Sequence, residues 1–396
     1  MKKKLLFFTY FCEYNGVEKS ILNLLKNLDP ADFEIDLIVL GSNETLMSEV
    51  PKHVNVIQLP LSDYMRDVIV LHPRTMISKL RSQKRYFSIL RYIFSTACHC
   101  LLYGFNRHAV CRSAAKKYKS SKKYDAAFDF YGHNLFGTYF ISQKVIADKK
   151  ATWLHHPAFI DEKLLKFENI FDSYNKVYSV SYECAEKFKK IFPNFDNRIE
   201  IFRNLLDTSD IIKKGEKPIS FRKDTFFIST AGRLHPIKGY DIAIKASLLL
   251  KNKGYKFKWF FIGDGDEKES LEKCVSENNL EEYIVFTGFC ENPYKYIAKS
   301  DIYVQPSREE GYCTTMLEAR ILQIPVIASD IPSSREQITD SVNGLLFKTS
   351  DHKALCDKIE MLITNKALVA EIHKNETEDL SYKSEILKIY HLLNDK

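Results

Sequence analysis

The chain has 396 residues, 45% of them hydrophobic, and a formal net charge of +7 at pH 7, which predicts two domains of about 200 residues, each with its own core. The residues after Met1 lack the apolar segment of a signal peptide, and no apolar run is long enough to predict a transmembrane helix. Nine scattered cysteines without a CxxC pair argue against a disulfide framework or a zinc site and favour reduced thiols in a cytosolic protein.

The first predicted elements alternate strands with a helix. Leu5–Phe8 has the length and apolar character of a strand, and the segment from Gly16 to Lys26 carries apolar residues at helical spacing. Two more strands, Glu34–Leu40 and Val54–Leu59, complete a β-α-β-β opening. This order is typical of a doubly wound domain.

Residues 74–123 contain thirteen Lys or Arg and no Asp or Glu. Between the basic residues, apolar residues recur at a spacing of three, four or seven positions, which predicts one or two amphipathic helices. Aromatic residues are interleaved with the charges. Basic and aromatic residues together favour docking to an anionic membrane surface. The alternative is a core helix pair with a solvated basic face, and no motif supports a nucleic-acid partner.

The next predicted strands are Tyr124–Tyr131 and Lys150–Leu154, and the second ends at His155. A histidine at the carboxyl end of a strand can hydrogen-bond a hydroxyl group of a ligand; the alternative is that it only binds a loop carbonyl. The polar, lysine-rich stretch from Asp207 to Asp224 is the predicted linker between the two domains.

A second series of strands and helices follows this linker, and it predicts a parallel sheet with helices on both faces. The tail from Asp351 has a helical pattern throughout. The predicted strands of the series are Asp224–Ala231, Phe257–Ile262, Ile284–Thr287, Asp301–Gln305 and Pro325–Ala328.

Two strand-to-helix joints of this half contain the candidate chemistry. Gly232–Gly239 includes Arg233 and Lys238, and Ser307–Glu318 includes Glu310 and Glu318 with seven residues between them. Backbone N–H groups at a helix start bind anions, and the two cations add to this. The combination suits a diphosphate that carries a polyhydroxylated group; the alternative is a pair of joints with solvated side chains.

These residues resemble the retaining glycosyltransferases of family 4, which have a GT-B fold. The resemblance covers about residues 225 to 347 in the family's order and spacing, and it is weaker in the N-terminal half. Besides the two joints, it is carried by Ile262–Gly265, Phe286–Phe289, Pro325–Asp330 and Asn343–Phe347.

The resemblance implies an α/β protein in which two Rossmann-like β/α/β domains face each other across a cleft. It places an acceptor-binding domain at 1–205, a nucleotide-sugar-binding domain at 206–375, and a C-terminal helix at 376–396 that crosses back to the N-terminal domain. Where the family commonly has two glycines in the first loop, this chain has Asn15 and Gly16.

The resemblance also implies roles for individual residues. Arg233 and Lys238 bind the diphosphate of the leaving group, Glu318 accepts both ribose hydroxyls, and Glu310 lies near the hydroxyls of the transferred sugar. The expected catalytic residues are Glu310, Arg233, Lys238 and His155. The expected donor-binding residues are Gly16, Gly232, Arg233, Lys238, Gly263, Phe286, Gly288, Gly311, Tyr312, Cys313, Thr314, Thr315 and Glu318.

No Asp-x-Asp triplet follows a strand, and no His, Cys and Asp cluster has metal-ligand spacing, so we expect neither a metal nor another cofactor. The expected reaction moves a sugar from a nucleoside diphosphate sugar, with UDP as the preferred candidate for the nucleotide. The expected acceptor is a lipid-linked glycan or an oligosaccharide in capsule, exopolysaccharide or O-antigen synthesis. The expected location is cytoplasmic, at the inner face of the cell membrane.

Two alternative functions remain at this stage. One is a nucleotide-sugar 2-epimerase, against which the spacing of Glu310 and Glu318 argues. The other is a non-catalytic nucleotide-sugar-binding partner in a glycan-assembly complex, against which the presence of Arg233, Lys238 and both glutamates argues.

Overall fold

The computed structural model describes residues 1–11, 16–41, 43–59, 73–90, 92–94, 115, 120–132, 135–218, 225–375 and 379–394. Three predicted features lie partly outside these ranges. They are the loop before Gly16, the basic segment 74–123, of which the larger part is outside, and the end of the predicted linker 207–224.

The described strands form two sheets in which all paired strands are parallel. The first sheet contains β1 (Lys3–Thr9), β2 (Phe33–Val39), β3 (Val54–Gln58), β4 (Lys123–Asp129), β5 (Ile146–Leu154), β6 (Lys176–Ser179) and β7 (Ile199–Ile201). The second contains β8 (Phe226–Ala231), β9 (Phe257–Ile262), β10 (Ile284–Gly288), β11 (Ile302–Gln305), β12 (Val326–Ser329) and β13 (Leu345–Phe347).

Helices follow most of the strands, as the alternating pattern predicts. The helices associated with the first sheet are Gly16–Asn27, Glu44–Ser48, Pro73–Ser82, Leu135–Lys144, Glu168–Phe171, Tyr182–Ile191 and Leu387–Asn394. The other helices are Thr208–Gly215, Tyr240–Asn252, Lys268–Glu277, Tyr294–Ile297, Thr314–Ile321, Pro332–Arg335, His352–Thr364 and Lys366–Lys374.

The chain divides into two compact units. Unit 1 contains residues 1–180, 184–205 and 383–396, and unit 2 contains residues 181–183 and 206–382. The helix Leu387–Asn394 therefore belongs to unit 1, where the ring of Tyr390 packs 5.0 Å from that of Phe33 and its hydroxyl donates to Asp32 at 2.7 Å.

Both sheets have the doubly wound strand order. The order is β3-β2-β1-β4-β5-β6-β7 in unit 1 and β10-β9-β8-β11-β12-β13 in unit 2. Their central strands are buried on both faces, because runs such as Leu5–Phe8 and Trp259–Ile262 have apolar residues at successive positions. The predicted pair of Rossmann-like parallel sheets is confirmed.

The linker prediction was wrong for residues 208–215. These residues form the helix Thr208–Gly215, which begins at the N-cap Asp207 and buries Ile211 in unit 2. One apolar stripe on a short helix is enough to dock it, although its lysine-rich composition looks like that of a linker.

In unit 2, two joints approach each other so closely that a side chain could not be added. Gly239 has a φ of +71°, and an added Cβ would lie 2.0 Å from the carbonyl oxygen of Pro306. The amide of Arg308 also donates to the carbonyl of Ile237 at 2.7 Å. The segment after β8 and the segment after β11 are therefore in backbone contact.

Gly239→Ala should lower the free energy of unfolding much more than Gly254→Ala. Both glycines have left-handed φ values, +71° and +83°, so alanine costs about 1–2 kcal/mol of strain at either. An added Cβ at Gly254 meets nothing within 4 Å, whereas the clash at Gly239 should cost roughly 2 kcal/mol more. Urea unfolding measures the difference, and equal losses in the two variants would contradict this packing.

Candidate active site

Most of the predicted donor-site residues of unit 2 follow three strands of its sheet. Gly232–Gly239 follows β8, Gly263 follows β9, and Pro306–Thr315 follows β11. β8 and β11 are adjacent in the sheet although they are not consecutive in the chain. Ligands of doubly wound proteins bind at such a switch point, outside the carboxyl ends of the strands.

Lys238 and Glu310 form an ion pair between the two joints. The Nζ of Lys238 lies 2.7 Å from Oε1 and 2.8 Å from Oε2 of Glu310. Burial by itself lowers the pKa of Lys238, but the attraction of Glu310 outweighs it, so the pKa is raised above its usual value. Lys238 therefore stays protonated beside the carboxyl group of Glu310 at neutral pH.

Arg308 ties the same two joints together, and the sequence analysis did not single it out. Its guanidinium binds Asp241 through two hydrogen bonds of 2.9 and 2.8 Å and also donates to the carbonyl of Pro236 at 2.6 Å. Hydrogen bonding to Asp241 raises the pKa of Arg308. A planar guanidinium matches a carboxylate in this two-pronged way, which fixes the loop between Pro306 and Glu310 against the helix Tyr240–Asn252.

Two further residues that sequence reasoning missed, Gln305 and Ser307, donate hydrogen bonds to Glu310. The available signal was their position: both are polar residues within five positions of the predicted catalytic glutamate, at the end of a buried strand. Strand periodicity does not reveal which way such side chains point.

Glu318 lies one turn into the helix Thr314–Ile321 and is 2% exposed. Its Oε1 accepts a hydrogen bond from the hydroxyl of Tyr294 at 3.1 Å. Glu310 and Glu318 are thus held by different partners, Lys238 and Tyr294, as expected if each serves a different group of a ligand.

The loop before this helix is largely buried. Gly311, Tyr312 and Cys313 are buried, while Thr314 and Thr315 start the helix, and the side chain of the N-cap residue Cys313 makes no capping hydrogen bond. Burial, followed by the charge of Glu310, raises the pKa of the Cys313 thiol to about 12. The thiol is therefore uncharged at neutral pH.

Arg233 occupies a different environment from Lys238. Its guanidinium lies 3.5 Å from a carboxylate oxygen of Asp266, and its side chain is 53% exposed. The structure thus brings Lys238 to Glu310 and places Arg233 in the solvent-exposed part of the same joint.

The remaining predicted residues of unit 2 form the frame of the sheet edge. An added Cβ at Gly263 would lie 2.0 Å from the carbonyl oxygen of Gly232, and the amide of Gly263 donates to the carbonyl of Gly288 at 3.1 Å. The ring of Phe286 packs edge-on against Phe261 at 5.4 Å. These contacts hold the ends of β8, β9 and β10 together.

In unit 1, His155 directly follows β5 and is 6% exposed. Its Nε2–H donates to the carbonyl oxygen of Phe130 at 2.7 Å, which is the loop-carbonyl contact of the alternative interpretation. Burial lowers its pKa to about 4. The imidazole is therefore neutral at pH 7.

Gly16 begins the helix Gly16–Asn27, and Glu18 in its first turn is buried although sequence reasoning did not identify it. The carboxylate accepts hydrogen bonds of 3.0 Å from the hydroxyl of Thr9 and from the amide of Phe11. Burial raises its pKa to about 7. The signal was available, because Glu18 stands three and seven positions before Ile21 and Leu25 on the buried stripe of the helix.

Comparison with known proteins identifies a matching family model and related sequences. Residues 212–379 match the family model described as glycosyl transferases group 1. The poly(ribitol-phosphate) alpha-N-acetylglucosaminyltransferase of Staphylococcus aureus is 28% identical over 232 residues, which are 58% of this chain and 46% of that protein.

A second relative is the N-acetylgalactosamine-N,N'-diacetylbacillosaminyl-diphospho-undecaprenol 4-alpha-N-acetylgalactosaminyltransferase of Campylobacter jejuni. It is 29% identical over 193 residues, 48% of this chain and 51% of that protein. The chain thus spans about half the length of the curated relatives it matches.

Solved structures match over the whole chain. HepE of Anabaena, in complex with UDP and glucose, superimposes with a TM-score of 0.71 at 18% identity and covers 100% of both chains. TarM gives a TM-score of 0.71 at 17% identity and covers 100% of this chain and 99% of its own. At this level of identity the likeness concerns the fold, and it confirms the predicted GT-B class.

Replacing His155 should change how stability depends on pH. The folded pKa of about 4 lies below the unfolded value of 6.5, so the unfolded chain binds the extra proton, and this site loses stability as pH falls through that window. The loss between pH 8 and pH 5 should be about 2 kcal/mol and absent in His155→Phe.

Buried Glu18 and Asp129 have the opposite effect on stability. Their folded pKa values are raised to about 7, so the folded chain binds the extra proton and these sites gain stability as pH falls. The quantity to measure by urea unfolding is therefore the difference between wild type and variant at each pH. His53→Gln, at an exposed histidine, is the control. A difference that stays constant from pH 8 to pH 5 would contradict a buried, neutral His155.

Proposed function

We propose that this chain, a member of the glycosyl transferases group 1 family through residues 212–379, is a retaining hexosyltransferase that uses a UDP-linked sugar. The observation that carries the proposal is the Lys238–Glu310 pair, held between two joints at the switch point of the unit 2 sheet. A mobile point charge next to a carboxylate provides a phosphate ligand and a sugar ligand at one place.

The proposed acceptor is a lipid-linked or oligosaccharide glycan in the synthesis of a surface polysaccharide. The names of the relatives support this class: the Staphylococcus protein acts on poly(ribitol phosphate), and the Campylobacter protein acts on a diphospho-undecaprenol-linked sugar. The likeness of fold to HepE, which was solved with UDP and glucose, agrees with a UDP-sugar donor.

The proposed roles in unit 2 follow from the side-chain chemistry. Lys238 and Arg233 neutralise the diphosphate as the bond from the anomeric carbon to phosphate breaks. Glu310 accepts hydrogen bonds from hydroxyls of the sugar and favours the positive charge that develops at its anomeric carbon. Glu318, acceptor-only when ionised, binds the ribose diol.

The remaining donor contacts are proposed at backbone positions. Amides of the segment from Gly311 to Thr315 face phosphate, because the first-turn N–H groups of a helix have no partner within the helix. Gly232, Gly263, Phe286 and Gly288 frame the nucleotide. In unit 1, Gly16 allows close backbone approach to the donor, and His155 is proposed to contact a sugar hydroxyl.

The proposed transfer retains the configuration of the anomeric carbon and needs no reactant besides the donor and the acceptor. The anomeric carbon loses its bond to the phosphate oxygen and gains a bond to the acceptor oxygen on the same face. The acceptor proton passes to an oxygen of the departing phosphate. The chain's part is to hold the two reactants and to stabilise the charge that moves onto the phosphate.

We also propose that the enzyme is cytoplasmic and docks on an anionic membrane surface through the basic segment 74–123, to which the described residues 79–90 and 92–94 contribute. Met76 and Leu80 are buried against Tyr92, whereas Phe87, Leu90 and Phe94 are 81%, 66% and 71% exposed. Exposed basic residues precede this apolar face: Lys79, Arg81, Lys84 and Arg85. In the described part of the chain, no helix has the length and apolarity needed to cross a bilayer.

Glu310→Ala should abolish turnover of the donor while leaving its binding largely intact. Ligand-observed NMR with UDP-, GDP-, ADP- and dTDP-sugars would follow binding and slow hydrolysis together. We expect one UDP-sugar to bind and hydrolyse in wild type, and hydrolysis to fall at least about 100-fold in the variant. Glu309→Ala removes the adjacent acid and is the matched control.

Arg233→Ala should instead weaken binding, since it removes a ligand of the diphosphate. Turnover that persists in the Glu310→Ala, Arg233→Ala double variant would contradict the site. Release of an epimerised free sugar would favour the epimerase alternative, and binding without turnover in the presence of acceptor would favour a non-catalytic role.

Neutralising Lys79, Arg81, Lys84 and Arg85 together to Gln should weaken sedimentation with liposomes that contain anionic lipid. Each charge near such a surface contributes about 1 kcal/mol, so the partition constant should fall roughly 1,000-fold. The matched control removes four exposed lysines of unit 2: Lys273, Lys299, Lys353 and Lys366. Binding that is unchanged, or equally weakened in the control, would remove membrane docking from the proposal.

A further inference from the structure

We propose that Ser307 and Gln305 are positioning residues that fix Oε1 of Glu310, so that Oε2 is the oxygen that meets the donor sugar. The inference rests on the proposed function, because it assigns how the catalytic carboxylate of that site is oriented. Neither residue is proposed to touch the reacting atoms.

Three donors converge on one oxygen of the carboxylate. The hydroxyl of Ser307 donates to Oε1 of Glu310 at 2.7 Å, the amide of Gln305 donates to it at 3.3 Å, and Lys238 lies 2.7 Å away. Gln305 and Ser307 are also hydrogen-bonded to each other at 2.7 Å. Both are buried, with exposures of 2% and 0%, so water does not compete for these bonds and they hold the carboxylate strongly.

The hydrogen bonds accepted by the side-chain amide oxygen of Gln305 determine how this amide is oriented. The amide oxygen of Gln305 accepts from the hydroxyl of Tyr303 at 2.7 Å and from the hydroxyl of Thr315 at 3.2 Å. A flipped amide would place that oxygen against the carboxylate of Glu310, where two acceptors repel. The amide nitrogen must therefore face Ser307 and Glu310.

The network is also anchored in the sheet. The hydroxyl of Tyr303, whose proton goes to Gln305, accepts a hydrogen bond of 3.3 Å from the amide of Ala231 at the end of β8. Tyr303 lies on β11, and Thr315 lies in the first turn of the helix Thr314–Ile321. The position of Oε1 is thus fixed by contacts with two strands and one helix rather than by a loop.

The other oxygen has a different set of contacts. Among the residues that the structure describes, Lys238 alone is hydrogen-bonded to Oε2 of Glu310, at 2.8 Å. When Lys238 turns to the diphosphate, Oε2 loses this partner while Oε1 keeps both of its buried donors. The carboxylate then cannot follow the lysine, and Oε2 is left to accept a hydroxyl of the sugar.

Ser307→Ala and Gln305→Met test this assignment through kcat and KM for the UDP-sugar that wild type turns over. Loss of a hydrogen bond to a charged group should lower kcat about 10- to 100-fold, with KM changed less than about threefold. Ser307→Thr, which keeps the hydroxyl, should restore most of the rate. Ser247→Ala is the matched control, since that buried hydroxyl donates only within its own helix, to Ala243 at 2.9 Å.

A series of monodeoxy donors gives a second, independent measurement. Wild type should lose rate with the analogue that lacks the hydroxyl bound by Oε2, and Ser307→Ala should lose much less with that same analogue, because its carboxylate is already misplaced. Thermal unfolding of each variant separates misfolding from misorientation.

The outcomes also separate this inference from the proposed function. If Glu310→Ala abolishes turnover while Ser307→Ala and Gln305→Met stay within twofold of wild type, the positioning role is overturned and the proposed function stands. Deoxy donors that lose equal rate in wild type and Ser307→Ala would overturn it too. If wild type turns over no donor, the proposed function fails and this inference fails with it.

Discussion

Backbone contact between the two joints of unit 2 is the constraint on which the candidate site depends. Gly239 lies against the carbonyl of Pro306 without room for a Cβ, and Arg308 bonds to Ile237 through its amide and to Asp241 through its guanidinium. Lys238 and Glu310 belong to these joints, and their separation is therefore set by the main chain. A parallel sheet provides this arrangement because the carboxyl ends of all its strands lie at one edge.

The electrostatics of the site follow from that geometry. Burial alone would favour the neutral form of Lys238, whereas the attraction of Glu310 favours its charged form and raises its pKa. The neighbouring Cys313 and Tyr240 respond in the opposite way: burial, and then the charge of Glu310, raises the pKa of each, that of Cys313 to about 12. Neither becomes an anion at neutral pH, so Glu310 is the carboxylate partner that Lys238 retains until another anion binds.

Much of this could be predicted from the sequence, and the limits have physical reasons. Apolar runs such as Trp259–Ile262 identify buried parallel strands because period and length suffice for that. Lys238 and Glu310 were each identified from their joints. Their pairing, the ion pair of Arg308 and the hydrogen bonds of Ser307 depend on which strands become neighbours, which no local pattern contains. The helix Thr208–Gly215 was missed because one buried isoleucine among lysines gives a weak apolar stripe.

The two sheets also differ in the charge that they hold at the same topological position. In unit 1, Glu18 and Asp129 are buried with hydroxyl and amide donors, their pKa values are raised to about 7, and His155 is neutral. In unit 2, Lys238 and Glu310 form an ion pair. A diphosphate needs fixed cations and amides, which the unit 2 edge provides, whereas hydroxyl groups can be bound by a nearly neutral, hydrogen-bonding edge such as that of unit 1. The proposed assignment of the nucleotide to unit 2 and of the acceptor to unit 1 follows this difference in charge as well as the family resemblance.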